Sequence, residues 1–200
     1  MERLRGCACY IADFGETEGR IMAFINRMAG QDYIDETRRY LDYLEEHLRN
    51  VQTAFTEVSN ACDGMSWVGD DYSWHTLRED IIYHDLSKFS KEEFTQYRDT
   101  FFPVSDADKG NCDFDLAWEN HKEENHHHHE NAENFLDIVH MVVDWTAMGY
   151  KFGDTAQQYY ERNRDKISLA DDHRVFMLEI FDRLEAYRTA TRRDEDHGGD

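Results

Sequence analysis

The chain has 200 residues, enough for one domain with a real core. Its 43 acidic residues outnumber 22 basic ones, and the resulting net charge of −21 excludes duplex nucleic acid and anionic membrane, whose binding draws on surplus Lys and Arg. One proline and 11 glycines leave few chain breakers, which favours an all-α fold.

The opening stretch MERLRGCACYIADFGETEGR lacks the apolar core of a secretion signal, and no apolar run anywhere reaches the length of a bilayer span. Cys7, Cys9, Cys62 and Cys112 form no CxxC pair, so reduced thiols and a cytoplasmic setting are expected. From Asp32 to Ser59 the residues Leu41, Leu44, Leu48, Val51, Phe55 and Val58 recur at spacings of three and four. That period predicts a helix with His47 at the inner edge of its apolar stripe. A break follows at NACDGMSWVGDDYS, and a helix from Trp74 to Leu86 is predicted to turn Leu77, Ile81, His84 and Asp85 inward. SKEE, Ser90 to Glu93, reads as a capping box opening a third helix through Phe94, Tyr97 and Phe101. PVSDADKGNCD reads as a loop.

Beyond Asp113, the residues Phe114, Trp118, His121, Asn125 and His128 are spaced four, three, four, three. A helix running through all five places them on one face, with His127 just beside it. Glu133 to Met148 is apolar nearly all round and reads as a central buried helix carrying one carboxylate, Asp144. A buried Asp needs a cation or hydrogen-bond donors. Helices near Asp154–Lys166 and Asp172–Tyr187 complete the pattern. The expected organisation is a variable extension over 1–31, a helical domain over 32–188 and a disordered acidic tail over 189–200.

The groups predicted to face inward are His47, His84, Asp85, His121, His127, His128 and Asp144. Taken singly, a core histidine is commonly just hydrogen-bonded, and Asp144 has an ion pair as its plain alternative. Taken together, imidazole and carboxylate donors suit Mn, Fe, Co, Ni or Zn better than Mg or Ca. Seven groups exceed the needs of one ion, whereas two ions bridged by Asp85 would use them. His75, His126, His129, His140 and His173 read as structural or surface residues, and Glu123 and Glu124 as solvated helix face. Arg164 and Lys166 read as helix caps rather than phosphate contacts.

YHDLSKFS resembles the HD[I/L]xK core of the HD-domain metal-dependent phosphohydrolase superfamily. The order His, His-Asp, His, His-His, Asp resembles its two-metal branch. More closely, HDLSKFSKEEFTQYR, FDLAWENHKEENHHHH, MVVDWTAMG and NRDKISL resemble DUF5662, a small bacterial and phage family of unknown function, over about residues 36 to 185. The resemblance implies an HD-domain-like helical bundle. In the superfamily, the residues matching His47, His84, Asp85 and Asp144 would hold one ion, and those matching Asp85, His121, His127 and His128 the other. Lys88 would contact substrate phosphate, which makes Asp85 and Lys88 the expected catalytic pair. The GYP signature of cyclic-dinucleotide phosphodiesterases is missing, and His121 and His127 stand closer than that class requires. The expected function is therefore hydrolysis of a small phosphate ester, a nucleotide, in the cytoplasm of a bacterium or a phage-infected host. The alternatives are an HD-fold di-iron oxygenase and a non-catalytic metal-stabilised module. For the latter WVGDDYSW, Trp67 to Trp74, would be the docking patch, although the same loop could be a lid.

Overall fold

The computed structural model describes residues 16–63, 65, 71–105 and 113–197. Cys7, Cys9, Cys112 and Trp67–Asp70 of the aromatic loop lie outside the described residues. Seven α-helices and one 3-10 turn follow in order among the described residues, with no strand: α1 (Glu16–Ala61), α2 (Asp71–Ile82), the 3-10 turn (Leu86–Phe89), α3 (Phe94–Phe101), α4 (Phe114–Glu124), α5 (Phe135–Phe152), α6 (Ala156–Asn163) and α7 (Asp171–His197). The fold is all-α, and its bundle form is consistent with the HD-like arrangement. No helix among the described residues is long and apolar enough to cross a membrane.

The all-round apolar helix of the sequence is α5, and the bundle is built about it. Ile138, Val139, Met141, Val142, Val143 and Ala147 are sealed from solvent. α5 lies along α1 and also packs on α7, α6 and α2. Its partners in the main core include Val51, Ala54 and Val58 of α1, Leu77 of α2, Tyr160 of α6 and Met177, Ile180 and Leu184 of α7. Each buried Val, Ile, Leu or Met among them contributes about 1.5–3 kcal/mol by leaving water. The ends of α5 are chemically marked. Asn134 Oδ1 accepts from the N–H groups of Leu136 (2.8 Å) and Asp137 (3.1 Å), and Asp137 Oδ2 accepts from Asn134 N–H in return. At the other end Gly153 takes φ 80°, and its N–H donates to the Gly149 carbonyl at 2.8 Å. A Cβ on Gly149 would meet the Asp154 carbonyl oxygen at 2.3 Å, so only glycine lets the following loop cross α5 there.

A second, smaller cluster is mostly aromatic. Tyr40 and Leu44 of α1 meet Tyr97 of α3 and Ala117 of α4, with Phe94, Phe102, Phe114 and Trp118 packed around them. Tyr40 meets Phe94, and Tyr97 meets Phe114, edge to face at 5.2 Å. Both clusters use α1, and His47 lies between Leu44 of the small one and Val51 of the large one. The candidate site sits on this seam.

Several elements depart from the periodicity reading. α1 begins by Glu16, so residue 32 lies inside a continuous helix; the preceding stretch holds helix formers and no proline. α7 continues through His197 where a disordered tail is expected, across Ala190, Arg192, Arg193 and Glu195, all good helix formers. α2 stops at Ile82 instead of reaching Leu86, and α4 stops at Glu124 instead of carrying His128. Ser90 and Glu93 form no capping box, because the Glu93 side chain is used elsewhere.

Candidate metal centre

His84 and Asp85 lie in the turn between α2 and the 3-10 turn, not on a helix. Asp85 has φ 58°, the sole non-glycine residue with positive φ among those described. Asp tolerates this left-handed region better than most residues, though such a conformation still costs on the order of 1–3 kcal/mol. The turn is retained because it lets adjacent side chains reach one point: both residues are buried, at 3% and 2% exposure.

The first donor set gathers there. His47 Nε2 lies 3.0 Å from His84 Nε2, 3.3 Å from Asp85 Oδ2 and 3.3 Å from Asp144 Oδ1. His84 Nε2 is 3.5 Å from each of the same two carboxylate oxygens. Three segments of the chain, α1, the turn after α2 and α5, thus bring four side chains to one point. The second set faces the other oxygen of Asp85. His121 Nε2 is 3.3 Å and His127 Nε2 3.6 Å from Asp85 Oδ1. His128 joins them, its donor nitrogen within 4.8 Å of those of His121 and His127.

The approach of the second set differs from the helical expectation. Asn125 ends α4 in an extended conformation (φ −130°, ψ 101°), and a turn delivers His127 and His128. Asn125 Nδ2 donates to the His121 carbonyl at 2.7 Å, and Asn131 Nδ2 donates to the Lys122 carbonyl at 2.5 Å. These amides replace the N–H groups that a further turn of helix would have supplied.

The donor separations suit a cation. Donors about 2.1 Å from a transition-metal ion stand roughly 3.0 Å apart at right angles and roughly 3.4 Å apart at tetrahedral angles. In the first set the separations from His47 and His84 to each other and to the two carboxylates run from 3.0 to 3.5 Å. Asp85 Oδ1 and His128 Nε2 are buried without a well-directed hydrogen bond from any described residue. A buried acceptor left in this state is costly, and a bound cation would satisfy it.

Charge follows the same logic. Burial works to raise Asp85 and Asp144, but neighbours outweigh it: His84 and Lys88 for Asp85, hydrogen bonds from His47 and His84 for Asp144. Both carboxyls fall well below the usual range. Burial lowers His47, yet hydrogen bonds to Asp144 and Asp85 lift it to about 9. His121 is likewise raised against burial by Asp85 and Glu93. Burial, reinforced by neighbouring imidazoles, pushes His127 well down and His128 to about 4. His127 and His128 are thus neutral imidazoles beside two ionised carboxylates, and a cation entering the site would displace the protons that His47 and His121 hold there.

Sequence reasoning missed two members. His140, read as structural or surface, is buried beside the first set, with Nε2 2.9 Å from His84 Nδ1. Its position four residues before Asp144 on α5 was the available signal. His84, His127 and His140 form a third trio of possible donors, but His140 meets Nδ1 of His84, the nitrogen opposite the Nε2 that faces the first set, which makes His140 a support for His84. Glu93, fully buried, holds His121 Nδ1 at 3.0 Å. The other histidines lie outside the donor sets: His75 is exposed beside Glu79, His126 is exposed, His129 faces Glu130 and His173 packs on Phe135. Glu123 and Glu124 are exposed, as expected, and Arg164, at the C-terminal cap of α6, and Lys166 are exposed as well.

A cavity of about 440 Å³ opens over the donors, walled by Tyr43, Trp118, Trp145, Tyr159 and Lys88. Lys88 is ion-paired with Asp85 Oδ2, and its ammonium lies 5.5 Å from the centre of the Tyr97 ring.

An all-α protein with buried His and Asp clusters that could hold a metal ion is the class these observations define. The chain belongs to the DUF5662 family, a family of unknown function whose model matches residues 36–188. Comparison with curated proteins and with solved structures gives no match.

Proposed function

We propose that the protein is a metal-dependent phosphohydrolase acting on a small phosphate ester, with a nucleotide as the favoured substrate. One observation carries the reading: the two oxygens of Asp85 face separate donor sets at the floor of a cavity that also holds Lys88. His47, His84, Asp85 and Asp144 would hold one divalent transition-metal ion, and Asp85, His121, His127 and His128 a second, drawn from Mn, Fe, Co, Ni or Zn. When bound, such ions supply positive charge toward phosphoryl oxygens and lower the pKa of a water toward neutrality.

The chain's own groups do the rest. Lys88 stays charged: burial lowers its pKa, but Asp85 outweighs burial and raises it. Its ammonium offers donors to phosphate oxygens and stabilises charge that develops on the leaving group. Tyr43, Trp118 and Tyr159 supply flat apolar walls for an organic leaving group and restrict water. The acidic exterior disfavours long polyanions, so the substrate is small.

The test pairs elemental analysis with a phosphatase and phosphodiesterase panel in Mn, Co and Ni. Asp85→Ala should lose bound metal and roughly a thousand-fold in hydrolysis while its circular dichroism stays helical. Full activity in that variant would contradict the assignment. Iron with oxygen consumption and no hydrolysis would move the reading to an oxygenase.

A further inference from the structure

Glu93 lies just before α3 at 0% exposure and belongs to neither donor set. Its carboxylate is surrounded by donors. Asn120 Nδ2 donates to Oε1 at 2.7 Å, His121 Nδ1 lies 3.0 Å from Oε2, and Ser87 also hydrogen-bonds it. These contacts decide the state of His121. Asn125 Nδ2 has two protons, and both are spent, on the His121 carbonyl (2.7 Å) and on Ser87 Oγ (2.9 Å). Its 3.2 Å approach to His121 Nδ1 is therefore proximity and not a bond to that nitrogen. Ser87 Oγ accepts from Asn125 and also lies 3.1 Å from His121 Nδ1, but its single proton goes to Glu93, so it does not donate to that nitrogen. The proton between His121 Nδ1 and the carboxylate thus belongs to Nδ1, since an ionised carboxylate only accepts. Nε2 is left facing Asp85 Oδ1 at 3.3 Å.

We infer that Glu93 is a positioning residue for the second donor set, fixing His121 with its proton on Nδ1 and its Nε2 turned to Asp85, and thereby setting how tightly that position takes a divalent transition-metal ion. The inference rests on the metal reading above. A carboxylate behind a ligating imidazole fixes its tautomer and raises its basicity. The first set has a different support: among the described residues His84 Nδ1 meets the imidazole of His140, at 2.9 Å, where His121 meets a carboxylate. Glu93 therefore acts on one position and not the other.

The experiment uses the full chain, stripped by chelator and titrated with Mn²⁺ by calorimetry and electron paramagnetic resonance, then with Co²⁺ by visible absorption. Wild type should take up two ions. Glu93→Gln keeps the shape and removes the charge. It should leave the tighter or weaker ion of the first set within about twofold and weaken the second-set ion about 10- to 100-fold, with a changed Co²⁺ band for that ion alone. Asn120→Ala separates positioning from packing: it removes one bond to Glu93 but leaves the contact with His121, so second-set affinity should stay within about threefold. Equal loss of both ions in a folded Glu93→Gln protein, or no change in either, would overturn the inference. So would Asn120→Ala matching Glu93→Gln. Wild type that binds one ion overturns this inference and leaves the first set standing; wild type that binds none removes the metal reading as well.

Discussion

The two donor sets share Asp85 and differ in almost everything else. His47 and Asp144 stand in the interior of α1 and α5, two helices packed along each other in the large aliphatic core. His121 sits in the last turn of α4, and His127 and His128 sit in the turn beyond, next to the small aromatic cluster. The first set is held by burial of aliphatic side chains, whereas the second is held by hydrogen bonds from Asn125, Asn131 and Glu93. Placement by a packed core resists single changes, because many contacts share the load. Placement by a few polar bonds is exposed to each of them.

The largest separation of the two sets should come from Asp144→Ala. It strips the first set of a carboxylate and leaves His47 and His84 with Asp85 alone, so the first ion should weaken at least about 100-fold and hydrolysis should fall in step. Second-set affinity, read by the same titration, should change only a few-fold. Next in size is Gly149→Ala, which attacks the scaffold of the first set without touching a donor. The new Cβ collides with the Asp154 backbone. The expected loss is about 2 kcal/mol, or roughly 4–8 °C in melting temperature by calorimetry. An unchanged melting point would mean that the loop after α5 is not pinned where the structure places it.

The smallest effect calibrates the comparison far from either set. Arg188 donates to both oxygens of Glu57 at 2.7 and 2.6 Å, and Tyr150 donates at 2.7 Å, joining α1, α7 and α5. Burial works to raise Glu57, but the bonds from Arg188 and Tyr150 outweigh it and lower its pKa. A carboxyl depressed by folding adds stability above its unfolded pKa, and that stability is lost as pH falls through the folded value. Wild type should lose on the order of 1 kcal/mol or less through Glu57 as pH drops below the usual glutamate range, after allowing for solvent screening. Glu57→Gln should flatten that part of the pH profile, measured by urea unfolding, and leave metal uptake unchanged.

The same contrast explains what could be read in advance. Helical period marks residues whose placement comes from a buried stripe, so α5, the core half of α1, His47 and Asp144 were legible. It is blind to side chains that displace backbone bonds. The four-three spacing persists through Asn125 to His128, yet the Asn125 amide takes the His121 carbonyl and ends the helix. SKEE matches a capping box letter for letter, but buried His121 competes for Glu93 and wins. Real capping boxes form at Asn134–Asp137 and Thr155–Gln158. His84-Asp85 was legible as a pair through its motif, while the left-handed turn that aims it was not, since Asp declares no such preference as strongly as glycine does. His140 carried a helical signal, but it read as a structural or surface histidine because its apolar neighbourhood offered it no partner in the sequence.

The central claim is that Asp85 joins two cation positions in one buried centre. Metal content of protein purified without chelator or nickel resin, measured beside Asp85→Asn by plasma mass spectrometry, tests it most directly. Two equivalents per chain in wild type, with both reduced together in the variant, is the predicted result. A wild-type chain free of transition metal, and unable to take it up on titration, would contradict it.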